Sequence, residues 1–318
     1  MPLTVNRLSP SGAAEVVGLD CSQPLAREVV ARLRLAFRDH PVLVFRDQPL
    51  TARQFAAFTA EFGELESFGE PPPLPDPGAP VSRADTPSLP ELNGRTASNF
   101  HVYYHPDDSR VQLMVNELRR DMPLMGIQDN ARVWHVDAQH KSTPNKMTFL
   151  SNVVGPSCGG ETEFSDLTLL YESLSGDLRK QLNGRVGIHH WSKSKNALFA
   201  DALDPAVRAE GDRIAAVVPV MHHPLVRRHP DTGRPILFIS PRFTIGIEGM
   251  GDAAAQTLLQ ALFQAIEDPR FTYRHPWRDH DLVMWDNCRL VHRGYPFPKN
   301  EVRHFNQITL CGEAPVAA

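Results

Sequence analysis

Only four cysteines, Cys21, Cys158, Cys288 and Cys311, stand in 318 residues, and no two of them form a C-x-x-C pair. So low a count argues against a disulfide scaffold, and the lack of paired spacing argues against a zinc ribbon or an iron–sulfur site. Reduced thiols in the cytoplasm are the expectation. No apolar run approaches the roughly 18 residues of a membrane span, so no membrane partner is expected. Met1 to Gly18 lacks the charged-then-apolar pattern of an export signal, which again favours a cytoplasmic protein. An excess of positive charge is missing too. Lys and Arg number 33 against 37 Asp and Glu, a formal net charge of −4, which gives no support to nucleic-acid binding. There is no internal repeat and no second composition regime, so one domain over residues 1–318 is expected.

What is present suits a folded chain, with 42% hydrophobic and 22% charged residues. Leu25, Val29, Leu33 and Phe37 recur every four residues and predict a helix over Pro24–Asp39. Pro41–Phe45 has the length of a strand. Thr51, with Gln54 three residues on, predicts a capped second helix whose buried face is Phe55, Phe58 and Phe62. Residues 71–90 hold eight of the 28 prolines, which excludes a helix or a central strand there. A Pro-rich insertion or lid at about 69–100 is expected. Strands are predicted at Ala14–Val17, Val111–Val115, Lys146–Asn152, Ile214–Val220, Ile236–Ile239, Asp281–Trp285 and Glu301–Cys311. A helix capped by Asp252 precedes the last two. His222, His223 and His229, in a polar stretch, read as surface or loop residues. The pattern is that of an α+β, mainly β, single domain with strands in a barrel or double sheet and helices outside.

Trp134-His135-Val136-Asp137 organises the rest. On a strand, residues two apart share a face, so His135 and Asp137 present an imidazole and a carboxylate together. They can fill two adjacent positions on a metal. A second imidazole from His292, in Leu290-Val-His-Arg-Gly294, would complete two His and one carboxylate. That set leaves positions open and suits a non-haem Fe(II) oxygenase. A 2-oxo dicarboxylate bound at such a metal needs a cation for its far carboxylate, and Arg303 has the two-pronged chemistry for it. Thr162 could add a hydroxyl donor.

The chain resembles the taurine dioxygenase (TauD/TfdA) family of Fe(II)- and 2-oxoglutarate-dependent dioxygenases. The resemblance rests on Val42–Gln48 with Phe55 to Leu65, on Trp134-His135-x-Asp137, and on Gly159-Gly160-Glu161-Thr162. His229-Pro230-x-Thr232-Gly233-Arg234 and Trp285-Asp286-Asn287-x4-His292 followed by Arg303 complete it. It implies a double-stranded β-helix (jelly roll, clavaminate synthase-like) with flanking helices. It implies Fe(II) held by His135, Asp137 and His292, and 2-oxoglutarate held by Thr162 and Arg303. It also implies an O2-dependent reaction that releases succinate and CO2 while oxidising a C–H bond. Relatives are often homo-oligomers.

The substrate is approached through a departure. Four residues past the co-substrate Arg, sulfonate-oxidising members carry a second Arg, and Gln307 stands here, which cannot supply that charge. His101 and Tyr104 resemble a pair that lines the substrate pocket. Lys193, Lys195 and Arg242 read as solvated surface cations that could instead meet an anion. A small organic acid or amino-acid-derived metabolite is the expected substrate, with hydroxylation or desaturation as the outcome. A zinc hydrolase or lyase could use the same metal ligands but has no need of Arg303 and Thr162, and a non-catalytic jelly-roll binding protein would have no reason to keep all three ligands.

Overall fold

The computed structural model describes residues 3–67, 103–115, 132–191, 216–298 and 300–318. The Pro-rich segment, His101, Lys193 and Lys195 lie outside them.

The largest sheet has eight strands in the order β1 (Thr4–Arg7), β2 (Ala13–Val17), β3 (Val42–Phe45), β14 (Leu282–Asp286), β6 (Met147–Val154), β16 (His304–Thr309), β5 (Asp108–Val115) and β4 (Tyr103–His105). Its central strands are apolar on both faces because both faces are covered. In β14, Leu282 and Met284 point to one cluster, and Val283 and Trp285 to another. The first cluster packs under α1 (Arg27–Asp39) and α2 (Ala52–Ala60), through Leu33, Phe55 and Phe58. The second joins Leu150 and Phe305 of the large sheet to Phe164 and Leu290 of a three-stranded sheet. That sheet has the order β13 (Thr272–His275), β7 (Thr162–Asp166) and β15 (Leu290–Gly294).

Two smaller sheets complete the β-structure of the described residues. One runs β12 (Thr244–Ile247), β8 (Val186–His189), β9 (Met221–Pro224), and the other pairs β10 (Val226–Arg228) with β11 (Pro235–Leu237). Behind β15, a third cluster holds Val291, Leu167 and Leu170 of α3 (Leu167–Ser173), and Leu259, Leu262 and Ile266 of α5 (Asp252–Ile266). The short α4 (Gly176–Leu182) follows α3. Helices thus flank a double-stranded β-helix, as expected.

Several local expectations need correcting. The capping box at Thr51 and Gln54 forms as read. However, Gly251 rather than Asp252 caps α5, and Asp252 stands in its first turn. Residues 216–217 are helical where the Ile214–Val220 strand was expected, and the strand begins at Met221. His223 and His229 are buried, not surface residues. Each found a partner distant in sequence: His223 Nε2 bonds the Lys141 carbonyl at 2.9 Å, and His229 Nε2 bonds Asp286 Oδ2 at 2.7 Å. His222 is exposed as expected.

Candidate metal centre and co-substrate pocket

His135 and His292 meet through their backbones. His135 N–H donates to the His292 carbonyl (3.0 Å), and His292 N–H donates to the His135 carbonyl (2.9 Å). Trp134 faces the other way. Its indole N–H donates to Glu267 at the end of α5 (2.8 Å), and the Arg293 guanidinium lies 4.4 Å over its ring. This anchor holds the segment so that His135 points inward, but the segment is not the strand expected, since His135 makes only an isolated bridge and Asp137 lies in a turn. His135 Nδ1 donates to the Val133 carbonyl (2.8 Å), which leaves the Nε2 lone pair for the interior. Asp137 Oδ1 stands 3.7 Å from His135 Nε2 and 3.6 Å from His292 Nε2. One ligand atom from each of the three residues lies within 4.8 Å of the others. Ala138, with φ of 57°, turns the chain immediately after the carboxylate.

The electrostatics suit a divalent cation. Burial, then the neighbouring His292 imidazole and the positive charge of Arg242, holds His135 well below the usual imidazole range. Burial also lowers His292, with Asp137 opposing and Arg242 adding to the effect. Both rings are therefore neutral donors near pH 7, beside one carboxylate, and two neutral nitrogens with one anionic oxygen suit Fe(II) with positions to spare.

Thr162 and Arg303, the residues expected to meet the co-substrate, lie toward the same interior. Gly159 and Gly160 both take positive φ (73° and 74°), and a Cβ on Gly159 would fall 2.3 Å from the Pro296 carbonyl oxygen. Only glycine fits that turn, which delivers Thr162 to the first position of β7. Thr162, Phe164 and His292 share a face, since Phe164 pairs with His292 across the sheet and Thr162 is two residues before it. The Trp277 indole donates to Thr162 Oγ1 (3.0 Å), so the hydroxyl keeps its own proton to give elsewhere. Trp277 meets Phe305 edge-on (4.7 Å), and the Arg303 guanidinium lies 4.0 Å over the Phe305 ring. Burial pushes Arg303 down to about 10, still fully charged at neutral pH.

A family model, "Taurine catabolism dioxygenase TauD, TfdA family", matches residues 4–309. The chain belongs to this family. It is 31% identical over 99% of its length to all of the alpha-ketoglutarate-dependent 2,4-dichlorophenoxyacetate dioxygenase of Cupriavidus pinatubonensis. It is 31% identical, over 85% of this chain and 82% of the relative, to the (S)-phenoxypropionate/alpha-ketoglutarate-dioxygenase of Sphingobium herbicidovorans. The crystal structure of a taurine dioxygenase from Burkholderia xenovorans superposes with a TM-score of 0.72 at 29% identity, covering 99% of this chain and 91% of that one. The protein is a 2-oxoglutarate-dependent non-haem iron dioxygenase. It uses Fe(II), 2-oxoglutarate and O2 and acts on a small molecule.

For this TauD/TfdA member, the residues read as substrate contacts fall in a cross-strand row. Tyr104 pairs with Gln112, Gln112 with Gln307, and Gln307 with Leu150. Leu150 faces the inter-sheet cluster, so Tyr104 and Gln307 sit on that same face. Arg242 departs from its reading as a solvated surface cation. Its backbone N–H donates to the Trp134 carbonyl (3.3 Å), and burial pushes its guanidinium down to about 10 against the opposing pull of Asp137. Its charge also lowers His135, His292 and His140. Sequence inspection missed Trp277 and Thr148, whose residue types are ordinary in strands and turns, and met Asn287 only as part of the Trp285-Asp286-Asn287 motif. Their signal is position in space, Trp277 beside Thr162, Thr148 beside Asp137 and Asn287 beside Thr148.

Proposed function

We propose that this dioxygenase oxidises, by hydroxylation, an aliphatic C–H bond of a small organic acid, with His135, Asp137 and His292 holding iron and Thr162 and Arg303 holding 2-oxoglutarate. The observation that carries the reading is one shared interior: three ligand atoms within 4.8 Å, Phe164 and Thr162 on the face of β7 that His292 shares, and Thr162, Trp277, Phe305 and Arg303 in successive contact. Iron bound there would couple the oxidative decarboxylation of 2-oxoglutarate, to succinate and CO2, to oxidation of the substrate. Arg303 lies half-buried on an aromatic shelf, where a guanidinium can grip a carboxylate with two bonds. The Thr162 hydroxyl, aimed by Trp277, adds a third. The apolar ring set of Phe164, Trp285 and Phe305 keeps water from the reacting end.

Support for an acid as substrate comes from Arg242, a second half-buried cation whose charge reaches the three proposed metal ligands. Two relatives are named for aryloxy carboxylic acids, 2,4-dichlorophenoxyacetate and phenoxypropionate. Gln307 argues against taurine, since an amide offers a sulfonate no charge. Tyr104 and Gln307 would shape the pocket, with His101. The cytoplasm is the compartment this reading assumes.

The test is succinate release with Fe(II), 2-oxoglutarate and a panel of small organic acids, including aryloxyacetic acids, beside taurine. Acid-stimulated succinate with a hydroxylated product is expected. Stimulation by amines or neutral compounds alone would overturn the reading.

A further inference from the structure

Asp137 has two oxygens, and only one of them faces the imidazoles. Oδ1 stands 3.7 and 3.6 Å from the two Nε2 atoms, while Oδ2 accepts a 2.5 Å hydrogen bond from Thr148 Oγ1. Thr148 lies on β6, fully buried, and its hydroxyl also takes a 2.7 Å bond from Asn287 Nδ2. Asn287 Oδ1 in turn accepts from the Trp285 indole at 3.0 Å.

The direction of every bond in this chain is forced. An indole N–H can only donate, so it requires the amide oxygen of Asn287 to face it. The amide nitrogen is thereby turned to Thr148, and it too can only donate. The Thr148 oxygen must accept there, which leaves its single proton for Asp137. The carboxylate ends the chain as a pure acceptor. Nothing in the chain can reverse without leaving a buried donor facing a donor, at a cost of about 1–3 kcal/mol per unmet group. The turn carrying Asn287 is itself braced, because Arg227 donates to the carbonyls of Asn287 (2.9 Å) and Cys288 (2.7 Å). The Trp285 ring also lies 4.9 Å from the His292 ring, so the residue that starts the chain packs against a second ligand.

We propose that Thr148, aimed by Asn287 and Trp285, is a positioning residue that fixes Asp137 as a one-oxygen metal ligand. This rests on the reading of His135, Asp137 and His292 as the metal site. Tying up Oδ2 prevents the carboxylate from closing on the metal with both oxygens, and so keeps a coordination position for the co-substrate. It also holds Oδ1 in place before the metal arrives.

The test measures Mn(II) affinity by titration of the metal-free protein, without 2-oxoglutarate or turnover, with a thermal melt of each metal-free variant. Thr148→Val removes the proton at constant shape and is expected to weaken Mn(II) binding by roughly 10–100-fold, the usual effect of losing a group that orients a ligand. Thr148→Ser, which keeps the hydroxyl, should bind within about threefold of the native protein. If Thr148→Val does not fold, Thr148→Ala removes the same proton with less crowding and is read the same way. Native-like Mn(II) affinity in Thr148→Val, or an equal loss in Thr148→Ser, overturns the role of Thr148 while leaving the metal site standing. A native protein that binds no Mn(II) overturns the metal-site reading and this inference with it.

Discussion

His135 and His292 hold each other by two backbone hydrogen bonds, of 3.0 and 2.9 Å, although they come from opposite halves of the chain. The two proposed imidazole ligands are thus placed by main chain, and their side chains are left to bind. His135→Ala should therefore keep the fold. A metal-free melt within a few degrees of native, with Mn(II) binding lost, is the expected pair of results. A large drop in melting temperature would mean that the side chain is structural.

Arg303 and Thr162 should divide the work of holding 2-oxoglutarate unequally. Arg303→Gln removes a half-buried charge and is expected to raise the KM for 2-oxoglutarate by roughly 30-fold or more, since a lost charge pair costs about 2–5 kcal/mol. Thr162→Val removes one hydrogen bond to a charged acceptor, about 1.5–3 kcal/mol, and should raise it roughly tenfold or more. Steady-state kinetics with 2-oxoglutarate varied would check the order. An unchanged KM in Arg303→Gln would remove this residue from the pocket.

Arg242 should act on the other substrate. Arg242→Gln is expected to raise the KM for the organic acid at least tenfold while that for 2-oxoglutarate stays within about twofold, the split expected from losing a charged hydrogen bond to one ligand alone. Equal increases for both would assign Arg242 to the metal centre as a whole.

Acid should destabilise the protein through its buried histidines. Burial, with Lys141, Arg242 and His190 nearby, pushes His140 down to about 3, and neither of its ring nitrogens has a partner among the described residues. Burial lowers His189 well below 6.5 in the same way. The unfolded chain then takes up the proton first, so stability is highest above about 6.5 and falls as pH drops toward 3. Each such ring contributes a slope of about 1.4 kcal/mol per pH unit. Urea unfolding of the metal-free protein at pH 7 and pH 5 should show a loss of about 2 kcal/mol from His140 alone. His140→Phe should remove that share of the slope, and an unchanged slope would contradict it.

The four thiols should separate into two pairs. Cys158 and Cys311 are exposed, whereas Cys21 and Cys288 are buried, with the Cys288 thiol pushed up to about 12. A thiolate-specific reagent at pH 8 should therefore modify two cysteines in the native protein and four after unfolding.

The helix stripe at Val29 and Leu33, the Thr51 capping box and the apolar strand Val42–Phe45 were legible because each depends on neighbours along the chain. The His135, Asp137 and His292 cluster was anticipated by residue type, although His135 makes only an isolated bridge to His292 and Asp137 lies in a turn, not on the strand expected. The burial of His223 and His229 was not, since a polar stretch looks solvated until Lys141 and Asp286 arrive from other elements. Arg242 failed in the same way, for nothing beside it in sequence shows that its backbone ties to Trp134. Thr148 carries no local mark at all, and Asn287 is marked only as part of the Trp285-Asp286-Asn287 motif. Their roles exist only where β6 and the turn after β14 converge on Asp137.

The most direct test of the account is anaerobic. Fe(II) and 2-oxoglutarate are added to the metal-free protein, and the weak visible metal-to-ligand charge-transfer band is followed in the native protein, His135→Ala and Arg303→Ala. The account predicts a band in the native protein, none in His135→Ala, and a band in Arg303→Ala only at far higher 2-oxoglutarate. A band that survives unchanged in His135→Ala, or no band in the native protein, would contradict it.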